Sequence, residues 1–117
     1  MVPGIYKAEW SRNGQVLGGG LLVFIHNVIA GADYTECIFN GEYAFDSAGN
    51  IVVRWLKLNV PGGITMAQGL PPAPRPYVLD MPSITLDVND DAPTVFEMPT
   101  MPLPLTVKMT RLRRLEP

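Results

Sequence analysis

A chain of 117 residues is one domain by length, and folding at this size buries roughly two thirds of the surface that the unfolded chain exposes. With 47% hydrophobic and 17% charged residues it is too apolar for a disordered tail. A formal charge of −2 argues against a phosphate backbone, so nucleic acid is not expected as a ligand. Eleven Gly and twelve Pro leave no stretch of about 12 residues with a clean helical period, which excludes an all-α fold.

The first strand runs from Gly4 to Trp10, where Tyr6, Ala8 and Trp10 alternate with Ile5, Lys7 and Glu9 and are expected to face inward. Asn13-Gly14 is a hairpin signal, because both central positions accept positive φ. A second strand covers Gln15 to Ile25, and its triplet Gly18-Gly19-Gly20 suits a bend, a bulge or the close approach of another backbone. His26-Asn27 turns into a strand over Val28 to Asp33, and Cys37 to Phe45 follows. Asp46-Ser47-Ala48-Gly49-Asn50 is a turn cluster before the strand Ile51 to Leu58. Five strands with short links within sixty residues predict an antiparallel meander, since parallel neighbours need crossovers of about a dozen residues or more.

Ten of the twelve prolines fall between Pro61 and Pro104, and Pro71-Pro72-Ala73-Pro74-Arg75-Pro76 cannot be a central strand, because its prolines lack the N–H a ladder needs. Beyond it, Tyr77 to Leu79, Ser83 to Val88, Thr94 to Met98 and Leu105 to Leu112 are short strands, the last with Leu105, Val107 and Met109 on one side. Eight or nine strands predict a single all-β domain over 1–117, an antiparallel up-and-down barrel of about eight strands whose interior is filled or holds one small guest. A two-sheet sandwich is the competing arrangement.

Catalytic sets are hard to assemble from this chain. His26 is the one histidine and falls at a hairpin tip, so a hydrolase or isomerase built on it ranks last. Cys37 is the one cysteine, read as a small buried hydrophobe, and it can form no internal disulfide. One His and one Cys fall short of a zinc set, and the glycine triplet precedes a strand rather than the helix of a phosphate loop, so neither a metal nor a cofactor is expected. Residues Met1 to Lys7 lack the features of a secretory signal, and Leu21 to Ile25 is far shorter than the ~20 residues of a membrane helix. Together these predict a cytoplasmic protein without membrane insertion.

Aromatic residues recur on nearly every strand, and Tyr6, Trp10, Phe24, Tyr43 and Trp55 are the candidates to line an interior that takes a small apolar guest such as a lipid. Charge is uneven along the second half. Asp80, Asp87, Asp90, Asp91 and Glu97 fall in a stretch without Lys or Arg, whereas Lys108, Arg111, Arg113 and Arg114 crowd the C-terminal end. Solvated faces, or opposite charges that pair across antiparallel neighbours, account for this pattern, and Asp90 and Asp91 with Arg111 and Arg113 are the candidates for a protein-partner surface.

Gly4-Ile5-Tyr6, Gly20 leading into Leu21 to Ile25, Ile29-Ala30-Gly31-Ala32-Asp33, and Asn40-Gly41-Glu42-Tyr43 together resemble the GrlR-like family, negative regulators first known from type III secretion gene islands. The resemblance covers about the first half of the chain. It implies a lipocalin-like antiparallel barrel that dimerises and restrains a transcriptional activator by direct contact. The family's Gly-Gly-Asp is Gly31-Ala32-Asp33 here, and its acidic loop falls at Asp46 to Asn50, which is nearly uncharged, so the activator contact is not carried over. The leading expectation is a non-enzymatic regulatory protein, a homodimer, that acts by protein contact. The alternative is a carrier of a small apolar ligand.

Overall fold

The computed structural model describes residues 3–86 and 93–115. They form one antiparallel sheet of strands β1 (Gly4–Arg12), β2 (Gln15–Ile25), β3 (Val28–Asp33), β4 (Ile38–Phe45), β5 (Ile51–Val60), β6 (Tyr77–Asp80), β7 (Thr85–Leu86), β8 (Thr94–Met98) and β9 (Leu105–Arg114). Neighbours run β6-β5-β4-β3-β2-β1-β9-β8, with β7 on β5, and the sheet curls into a half-barrel. The all-β, up-and-down architecture expected from the sequence is thus the observed one, and the last long strand returns to pair with the first. No helix long and apolar enough to cross a membrane occurs among the described residues.

Turn chemistry sets the register. Asn13 and Gly14 have φ of 52° and 77°, and His26 and Asn27 have 50° and 66°, so both hairpins turn with two positive-φ residues, as the twist of antiparallel strands favours. Between β3 and β4, one oxygen of Asp33 accepts hydrogen bonds from Thr35 N (2.8 Å), Thr35 Oγ1 (2.7 Å) and Cys37 N (3.0 Å). Asp46 Oδ1 does the same for Ala48 N and Asn50 N, both at 2.9 Å, between β4 and β5. These are the self-capping turns that Asp is suited to build.

The edge along β5 is made of two pieces. β6 and β7 both pair with β5, and between them Met81 N donates to Leu56 O (2.8 Å) while Val53 N donates to Ile84 O (2.9 Å). Pro82 breaks the ladder at this point, as a residue without N–H does at an edge. The expected strand from Ser83 to Val88 is realised over Thr85–Leu86; Asp87 and Val88 lie outside the described residues.

Alternation places Tyr6, Ala8, Phe24, Ile29, Phe39, Leu58, Val107 and Met109 in one buried cluster on the concave side of the sheet. Three bulges adjust it. One lies between Trp10 and Ser11 on β1, where Leu17 is the extra residue opposite, next to Gly18. There the indole of Trp10 covers its cross-strand partner Gly18, and a Cβ at Gly18 would collide with Nε1. A Cβ at Gly20 would meet the Ala32 carbonyl oxygen, so the glycine triplet serves both a bulge and close backbone approach.

Candidate functional site

The two ends of the half-barrel differ. At the lower end, next to the 26–27 and 46–50 turns, Tyr6, Phe24, Tyr43 and Phe45 form a chain of rings with centroid separations of 5.7, 5.4 and 5.8 Å. Edge-to-face and tilted contacts at these distances are favourable, and they plug that end. Beside them Ile51 is fully buried. At the upper end, two loops rich in proline replace such a plug. Residues 61–76 fold back on themselves through Gly63 N to Ala73 O (2.7 Å) and Met66 N to Leu70 O (3.0 Å). Leu103 N donates to Gln68 O (3.1 Å), and Arg12 Nη1 donates to Ala67 O (3.2 Å), which ties this loop to the 99–104 loop and to β1.

Between plug and loops lies a cavity of about 180 Å³. Phe24 forms its floor, and Trp10 and Phe39, with centroids 6.2 Å apart, stand on one wall. Met66, Met81, Met98 and Met109 supply much of the remainder. Thioether side chains have several rotatable bonds and polarisable sulfur, and they adapt to the shape of a guest. Among the described residues the lining contains no Lys, Arg or His and one acidic residue, Asp33, which is held by the turn it builds. Two polar side chains on the lining are buried, Gln68 and Thr100, of which Thr100 Oγ1 donates to Leu103 O at 2.7 Å.

The five residues expected to line the interior separate into three groups. Trp10 and Phe24 line the cavity. Tyr6 and Tyr43 are buried in the plug below it. Trp55 is 40% exposed on the convex side, a correction to the expected lining role. The cause is a bulge: Glu42 pairs with Trp55 and Tyr43 with Val53, so Arg54 is an extra residue and the inward parity passes from Val53 to Leu56. The methionines and Gln68 come largely from loop and edge segments without a strand period, so the sequence carried no signal for their inward contact, although Ile64 and Leu70 pack against the same core.

The expected partner surface is not assembled as one patch. Asp90 and Asp91 lie outside the described residues. Arg111 pairs with inward-facing Tyr6 and is half-buried, whereas Arg113 pairs with outward-facing Ile5 and is exposed, because a bulge at this point changes the parity of β9. His26 is exposed in its turn and is not on the cavity lining. Among the described residues no cluster of His, Cys, Asp and Glu could hold a metal ion.

Cys37 is fully buried, with Sγ 3.3 Å from Thr35 Oγ1. Burial pushes its thiol above the ordinary value of 9.0, outweighing the opposing hydrogen bond from Thr35. Burial likewise raises the Tyr43 phenol above 10.0, partly offset by its bond to the Asn27 backbone. Compared with the models of known families and with characterised proteins, the chain matches none.

Proposed function

We propose that this protein is a binding protein that takes a small, uncharged apolar ligand into the half-barrel. The observation that supports this reading is the cavity itself, with an apolar wall and no cationic side chain among its described lining residues. An interior of about 180 Å³ suits a single ring or a fused pair, since an apolar cavity of roughly 150 Å³ takes benzene. A fatty acid is a poor fit, because its carboxylate would meet no Lys, Arg or His on the lining and would be desolvated without a partner. The test is a titration of isotope-labelled protein with toluene, followed by amide NMR. Saturable shifts concentrated at lining residues are expected; the absence of saturation would overturn the reading.

A regulatory role through protein contact, as the GrlR-like resemblance implies, has separate support on the convex side. Strand neighbours Leu21, Ala32 and Ile38 form one outward row, and Val23 with Ala30 forms the next. Leu21 and Ile38 are 47% and 44% exposed, where a solvated sheet face would carry polar side chains. The occupant proposed for this face is a second copy of the chain. The three residues are uncharged, with Lys7 beside Leu21 and Asn59 beside Ile38 at the ends of the row, so an isologous pairing centred on Ala32 keeps charge at its rim. The protein is read as cytoplasmic, with no internal disulfide available to Cys37.

A further inference from the structure

Gln68 is the one carboxamide on the cavity lining, and it is 3% exposed. Its backbone carbonyl accepts from Leu103 N, which holds the residue at the upper end of the cavity. A carboxamide on an apolar wall needs a donor or an acceptor to meet it, because burying it unpaired costs free energy that Leu or Met at the same place would avoid. A guest in the cavity that carries a polar group supplies that partner.

We infer that Gln68 is the specificity-determining residue of the cavity, and that the ligand is a neutral aromatic molecule of one ring or two fused rings carrying one hydrogen-bonding group, of the phenol or indole class. This inference rests on the ligand-binding reading above. The ring is called for by the walls: Trp10, Phe39 and Phe24 offer aromatic faces and edges, and the four methionines offer sulfur contacts, both favourable to an aromatic guest. The single polar group is called for by the buried polar side chains of the lining, Gln68 and Thr100, because the Thr100 hydroxyl is already committed to Leu103 O; Asp33 is committed to its turn, and Tyr34, Thr35 and Thr65 are exposed at the rim. A carboxamide has both a donor NH₂ and an acceptor oxygen, so it can serve either a hydroxyl or a ring N–H. Neutrality follows from the described lining, which offers an anion no basic residue and a cation only Asp33, whose carboxylate is committed to its turn.

The test compares indole with indene, a hydrocarbon of nearly the same shape, by calorimetry or NMR titration on the wild-type protein and on Gln68→Leu and Gln68→Met. Wild type should prefer indole by roughly 3- to 10-fold, the size of one net hydrogen bond. Both variants should bind indene at least as tightly as wild type and lose the preference for indole. Two variants guard against a folding defect in one, and near-ultraviolet circular dichroism checks each. Equal binding of the two compounds by wild type, or a preference that survives in both variants, would overturn the role of Gln68 while leaving the pocket in place. If neither compound binds to wild type, the ligand-binding reading itself fails.

Discussion

Ile51 and Ile29 offer a controlled comparison, because both are isoleucines in strands and their exposures are 0% and 1%. They differ in surroundings: Ile29 lines the cavity, while Ile51 does not and pairs with Phe45 and Leu86 beside the aromatic plug. Truncating Ile51 to Ala removes three carbons, worth about 2.4 kcal/mol at ~0.8 kcal/mol each. A residual void of roughly 60 Å³ in a close-packed region adds about 1.5 kcal/mol, giving a loss of about 4 kcal/mol. The Ile29 side chain already lacks partner atoms on its cavity side, so fewer dispersion contacts are lost and the expected cost is about 2.5 kcal/mol. The change in strand propensity is the same in both variants and cancels. Urea unfolding followed by tryptophan fluorescence measures both, provided that the slope with denaturant is unchanged. In thermal scans, at an unfolding entropy of about 0.25 kcal/mol/K for this length, the Ile51→Ala variant should melt about 16 °C lower and Ile29→Ala about 10 °C lower. Equal losses, or a larger one at Ile29, would refute the claim that the interior is hollow above Phe24 and packed below it.

Stability should hold below pH 9 and decline above it: as pH passes 9.0 the unfolded Cys37 thiol releases its proton while the buried one keeps it, and Tyr43 adds to the decline past 10.0. Denaturation midpoints across this range check the sign, and Cys37→Ala should flatten the first part of the fall; a midpoint that rises above pH 9 would contradict the burial of both groups. On the convex face, Leu21→Lys combined with Ile38→Lys should convert a wild-type dimer to monomer in analytical ultracentrifugation without loss of sheet content. A wild-type protein that sediments as a monomer at high concentration would remove the support for a self-associating face.

Most of the fold was legible because local chemistry and periodicity agree in the first sixty residues. Asn13-Gly14 demanded a two-residue turn, and the alternation of Tyr6, Ala8 and Trp10 named the inward side of β1, as did Leu105, Val107 and Met109 for β9. Trp55 shows where such reading ends. Period two carried from Ile51 and Val53 puts Trp55 inside, and only the pairing of Glu42 and Tyr43 with β5 reveals the extra residue that turns it out. A bulge is a property of two strands together, so neither strand's own pattern announces it. The same holds at Arg111 and Arg113, which alternate in sequence as if on one face and are separated by a bulge against β1. Met66 and Gln68 were hidden for another reason: in a segment without regular hydrogen bonding, no period says which side chain points inward.

The cavity follows from how the two ends of one sheet are closed. At the lower end the strands bring four aromatic rings into contact, and rings that meet at 5.4–5.8 Å leave no room for a guest. At the upper end the glycine triplet supplies no side chains to β2 where a plug would stand, and Trp10 folds flat over Gly18 rather than across the opening. The space left there is covered by chain that prolines keep out of the sheet, held down by Arg12 Nη1 on Ala67 O and Leu103 N on Gln68 O. A cover fixed by backbone bonds and flexible methionines, rather than by interlocked rings, is the part of the molecule whose opening costs least, so guest exchange is expected through the 64–68 segment and not through the aromatic end.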